Sequence, residues 1–106
     1  MRNLLLTVAV FLASATTALA DGMHFRLSPN PASSFVNVQF DQAVTGDIVV
    51  EVYSVLGTRI IYQMYHHPEG TTALVVNTSN LAEGIYLVRV SSGNESTVKR
   101  IKIQHG

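Results

Sequence analysis

Phe35-Val36-Asn37-Val38-Gln39-Phe40 alternates apolar and polar residues without a break. Successive side chains of a strand point to opposite faces, so Val36, Val38 and Phe40 share one face and Asn37 and Gln39 the other. A helix would scatter the same residues around its circumference. The period of two reads as a strand buried on one side. The same reading extends in both directions. Residues 24–27 make a short strand upstream, stopped by Ser28-Pro29-Asn30-Pro31, because two prolines fix φ and remove two backbone donors. Residues 48–53, 59–65, 73–76, 85–90 and 97–103 are further strands, rich in Val, Ile and Tyr. The segments between them read as turns: 41–46, 54–57, 66–70, 77–84 with Leu81 as an apolar plug, and 91–95. On the last strand, Thr97, Lys99, Ile101 and Ile103 share a face, and Val98 breaks the pattern.

Seven short strands with frequent turns and no helical period predict an all-β fold, an immunoglobulin-like β-sandwich of about seven antiparallel strands. Strand count leaves a closed barrel open as the rival. A membrane barrel needs at least about eight strands of about 10 residues, which this chain does not supply.

The first 20 residues are set apart. Arg2 gives a positive start, residues 4–13 are almost wholly apolar, and Ala18-Leu19-Ala20 offers small residues before Asp21. This is the pattern of a cleaved signal peptide, and its apolar run is shorter than the roughly 20 residues a spanning helix needs. The expected organisation is a signal peptide over 1–20 and one β-sandwich domain over 21–106. No cysteine follows, so neither a lipoprotein anchor, a disulfide nor a cysteine zinc site is available. The fold must rest on burial alone.

Charge and composition narrow the function. The seven Lys and Arg balance the seven Asp and Glu, which gives no footprint for nucleic acid. Charged residues are only 13% of the chain, so its surface is neutral and apolar, suited to docking. There is no Gly-x-Ser-x-Gly, no His-Glu-x-x-His and no thiol, so no enzyme chemistry is expected. His66-His67 with Glu69 reads as a solvated loop rather than a metal site, because adjacent strand residues point oppositely. No cofactor and no metal are expected. His24 and His105 lie near the ends and read as fraying. Lys99, Arg100 and Lys102 form the one basic cluster, and charge of this kind protects an edge strand.

Three segments, in order, resemble the type IX secretion C-terminal sorting domain, a family typical of Gram-negative Bacteroidota. Leu27-Ser28-Pro29-Asn30-Pro31-Ala32-Ser33 is similar to the family's opening signature. Val52-Tyr53-Ser54-Val55-Leu56-Gly57-Thr58-Arg59 resembles its strand-turn-strand. Leu81-Ala82-Glu83-Gly84-Ile85-Tyr86-Leu87-Val88-Arg89-Val90 is similar to its third segment, and Lys99-Arg100-Ile101-Lys102-Ile103 to its closing strand. The residues have physical readings of their own. Pro29 and Pro31 make a rigid turn, Gly57 and Gly84 relieve strain at turns, and Tyr86 offers an apolar body with a polar tip.

The resemblance implies a non-enzymatic secretion and sorting module. It would be recognised by the type IX translocon and cut by sortase-like components, after export to the periplasm and on to the outer membrane, cell surface or medium. Its implied sorting residues are Pro29, Asn30, Pro31, Gly57, Arg59, Gly84, Tyr86, Lys99 and Lys102. Two departures stand out. Only Asp21 to His24 precede the domain, where the family usually has a large passenger, and Thr58 stands between Gly57 and Arg59. The alternatives are a periplasmic regulatory or signalling ligand, or a small surface adhesion or carbohydrate-binding sandwich. Neutral edges also allow a strand-mediated dimer.

Overall fold

The computed structural model describes residues 23–106. The expected signal peptide lies outside the described residues. Five strands make up the fold: β1 (Phe25–Ser28), β2 (Phe35–Ser54), β3 (Arg59–Asn77), β4 (Gly84–Ser92) and β5 (Glu95–Ile103). All pairings between these strands are antiparallel and belong to one sheet, with the path β1-β2-β4-β5 and β3 on the other edge of β2.

The all-β reading holds, but two of the expected turns are strand. Residues 41–46 lie within β2 and 66–70 within β3, so four expected strands fuse into two long ones of 20 and 19 residues. The pairing of β2 with β3 slips between Gln39 and Val44, and again between Val44 and Gly46. Such irregularities bend a strand and raise its twist. Gly46 and Gly70 adopt positive φ there, 86° and 106°, which glycine reaches at low cost. These residues carry turn signals in the sequence because they make a bend, and the hydrogen bonding continues through it.

The bend divides the sheet into two arms. The first holds β1, residues 35–40 of β2 and residues 73–77 of β3; the second holds residues 47–54 of β2, residues 59–66 of β3, β4 and β5. Even-numbered positions of β2 point inward on both sides of the bend: Val36, Val38 and Phe40 before it, Ile48, Val50 and Val52 after it, all buried. One core cluster gathers Phe25, Val36 and Val76 from the first arm with Val52, Val88 and Ile101 from the second. The arms also touch across it. The Thr97 hydroxyl donates to the Met23 carbonyl at 2.7 Å, and Lys99 Nζ sits 5.5 Å from the centre of the Phe25 ring. This curled sheet is compatible with the expected sandwich. β3 and β5 do not pair with each other, so the sheet does not close as a barrel.

Candidate functional site

The segments singled out in the sequence converge at one end of the second arm. After Ser28, Pro29 and Pro31 each follow a cis peptide bond, and both are exposed. They carry the chain across to the free edge of β5. There Ala32, fully buried, forms a parallel bridge with Ile103. Its N–H donates to the Lys102 carbonyl and its carbonyl accepts from the Gln104 N–H, both at 2.8 Å. Asn30 Oδ1 accepts from the Lys102 N–H at 3.3 Å. The opening signature is thus a short strand laid on the last one, and it covers part of an edge that would otherwise be open.

The third segment meets the same place. Gly84 pairs with Ile103 and Tyr86 with Ile101. Leu81 is buried as expected, and the buried Tyr86 donates its hydroxyl to the Ala82 carbonyl at 2.6 Å, fixing the loop ahead of β4. The second segment ends beside it, because Ser54 pairs with Tyr86. Its turn closes through Gly57 N–H to the Ser54 carbonyl and Ser54 N–H to the Thr58 carbonyl, both 2.9 Å, with Gly57 at φ 92° as the sequence predicts. Leu56, at the tip, is 92% exposed.

Sequence reasoning missed the fastenings of this end. Thr78, almost fully buried, donates its hydroxyl to the Ser33 carbonyl at 2.7 Å and its N–H to the Ser34 carbonyl at 2.9 Å. His105 is tied down, not frayed. Its Nε2 lies 2.7 Å from the Leu81 carbonyl, its Nδ1 3.2 Å from Ser33 Oγ, and its N–H donates to Glu83 at 3.0 Å. These partners are 24, 72 and 22 residues away in sequence, which no local pattern could signal.

Not every expected residue joins the end. Lys99 points to the inner side at the Phe25 ring, opposite in sense to Arg100 and Lys102. Arg59 reaches along the outer side of the sheet instead. The register slips between Val52 and Tyr53, which places Arg59 opposite Tyr53. Its Nη1 donates to Glu51 Oε2 at 3.3 Å, and its guanidinium lies 4.9 Å from the centre of the Tyr62 ring. The Tyr53 hydroxyl donates to the same Glu51 oxygen at 2.7 Å. Glu51 is buried on the outer face, and its carboxyl is held below the usual carboxylate range. The Tyr53 hydrogen bond is the largest cause, with Arg59 and Arg89 adding to it against the opposing effect of burial.

Other chemistry is not assembled by these residues. Among the described residues no group of three or more His, Cys, Asp or Glu gathers as metal ligands. Asp47 pairs with His66, and Tyr62 and Tyr65 face opposite sides of β3. An open cleft of about 520 Å³ lies at the far end, lined by residues such as Met23, Asp41, Val44 and Glu95, and holds none of the signature residues.

Over residues 26–104 the chain matches the family described as the secretion system C-terminal sorting domain. The chain belongs to that family. The match takes in every segment of the converging end up to Gln104. No curated protein matches the chain. As a type IX sorting domain it carries a signal for export to the cell surface or medium and is recognised by the secretion machinery. The family is one of sorting signals and not of catalysts, which fits the absence of catalytic motifs in the sequence.

Proposed function

We propose that the folded end built from residues 29–33, 54–59, 81–86 and 102–105 is the surface by which the type IX translocon selects this chain. The observation that carries this reading is convergence. Segments more than 70 residues apart in sequence are bonded to one another, as Asn30 is to Lys102. A signal made this way exists only once the domain has folded, because the unfolded chain does not hold these groups together. The export route runs through the periplasm after removal of residues 1–20, and the sortase-like components of the machinery act on the domain after the translocon has engaged it.

Within this reading the nine residues divide by role. Pro29, Pro31, Gly57 and Gly84 set the backbone, Asn30 and Tyr86 fasten loops, and Arg59 and Lys102 present charge beside the end. Lys99 contributes to packing on Phe25. The test is deletion of residues 97–106 in the full chain, produced in a bacterium carrying the type IX machinery. The deleted chain is expected to remain in the periplasm. Arrival at the surface at the level of the intact chain would refute the reading.

A further inference from the structure

The outer face of the second arm combines exposed apolar side chains with an excess of cations. Ile60, Tyr62 and Met64 on β3 are 46%, 52% and 55% exposed, and Val98 on β5 is 53% exposed. By register they stand on one face: Tyr62 pairs with Glu51, Glu51 with Arg89, and Arg89 with Val98. An antiparallel sheet with one wet face usually places polar residues there. Here the half-buried Val49 and Leu87 extend the apolar ground between the strands.

Charge on this face is one-sided although the chain is formally neutral. Arg59, Arg89, Arg100 and Lys102 all lie on it. Glu51 is the carboxylate among them, already held by Tyr53 and Arg59. Asp47 stands a row beyond Met64, against His66. Asp41 sits at the bend, Glu83 in the loop before β4, and Glu95 at the start of β5, on the opposite parity from Val98 and Arg100. Two of the guanidinium groups are fixed before any partner arrives. Arg59 is stacked on Tyr62, and Arg89 Nε donates to Ser96 Oγ at 2.9 Å. Fixed arginine and tyrosine side chains lose little freedom on binding and dominate the energetics of protein interfaces.

We propose that this face docks a partner protein that presents carboxylates around apolar side chains. A second copy would bring the same cations against these, which opposes self-association through this face. An anionic membrane is disfavoured because a chain of zero net charge feels little long-range attraction to it. The proposal rests on the sorting reading for its setting and deepens it. The converging end identifies the domain, and the adjoining face holds the partner through Arg59 and Lys102 at their common border.

The test uses the full chain in a bacterium with the type IX machinery. The Arg89→Glu/Arg100→Glu pair and Met64→Lys alter the face, and Arg26→Glu with Gln39→Lys alters the outer face of the first arm. Melting curves of the purified proteins establish that each variant folds. The two face variants are expected to reach the surface at least tenfold less than the intact chain while still melting cooperatively, the charge-reversed pair at a somewhat lower temperature because it sets a carboxylate opposite Glu51, and the first-arm control is unaffected. Normal surface levels of the Arg89→Glu/Arg100→Glu chain would overturn the proposal. If the intact chain itself stays in the periplasm, the sorting reading fails and the second arm of the test decides the face. A benzophenone side chain at position 62, in intact cells, is expected to crosslink to an acidic surface segment of a partner protein, and one at position 39 is not. Loss of the crosslink in the Arg89→Glu/Arg100→Glu chain is the supporting result. No crosslink at position 62, a crosslink to a second copy, or charge-dependent sedimentation with phosphatidylglycerol vesicles would each overturn it.

Discussion

Replacing Ile103 with Ala tests whether the converging end is held by the last strand. The Ile103 side chain is fully buried, and its register partners are Gly84 on one side and Ala32 on the other. The substitution removes three carbons. Gly84 has no side chain and Ala32 only a methyl group, so neither can extend into the space. The Ala32 backbone is pinned by its bonds to Lys102 and Gln104, which limits collapse. Ile→Ala changes in cores cost about 2–5 kcal/mol, and poor collapse places this one near 4. A domain of this length has roughly 4–13 kcal/mol of total stability, so the change consumes much of it. At about 4–8 °C per kcal/mol for domains of this size, Tm falls by more than about 15 °C. Urea titration followed by circular dichroism, with Tm from the same signal, reads the effect. Ile103→Val should cost about 1 kcal/mol, and Val98→Ala, on the exposed face of the same strand, under about 0.5 kcal/mol. An Ile103→Ala protein within about 1 kcal/mol of the parent, below the usual range for a buried Ile→Ala change, would refute the packing argument.

Other outcomes follow from the same contacts. Because the Glu51 carboxyl is depressed in the folded state, its contribution is present above the ordinary carboxylate range and is lost as pH falls through its folded value; Glu51→Gln should flatten the acid limb of a pH–stability profile, and an unchanged limb would contradict the network. Tyr86→Phe removes the hydroxyl bonded to Ala82 and should cost about 1 kcal/mol by chemical denaturation. Gly57→Val, at φ 92°, should cost at least about 1–2 kcal/mol by the same assay. Leu56→Ser, at the exposed tip of that turn, should change stability by less than about 0.5 kcal/mol.

Much of the fold was legible because burial on one face writes itself as alternation. Val36, Val38 and Phe40 lie inward as their spacing requires, and so do Ile101 and Ile103. Val98, which breaks the pattern of its strand, is the outward residue that alternation demands, and its apolar character belongs to the surface. The fusion of strands at 41–46 and 66–70 was not legible, because Gly46 and Gly70 give the same local signal in a hydrogen-bonded bend as in a turn. Of the candidate site, Gly57, Leu81 and Tyr86 were readable from local chemistry. Thr78, Ala32 and His105 were not, since their partners are set by topology. Glu51 escaped notice for the opposite reason. A lone acid in an apolar run looks like a solvated outward residue; Tyr53 reaches it as the next residue on the same face of β2, and only the slipped register brings Arg59 to it.

The most direct measurement is the cell-surface fraction of a chain that keeps its fold but lacks the chemistry of the converging end. Asn30→Ala, Leu56→Ser and Lys102→Ala together alter three exposed residues of that end that no core packing depends on. Protease accessibility on intact cells, beside fractionation and a melting curve of the same protein, reads the result. A folded triple variant retained in the periplasm while the parent reaches the surface is the predicted outcome. Equal surface delivery of a folded triple variant would contradict the assignment of sorting to this end of the domain.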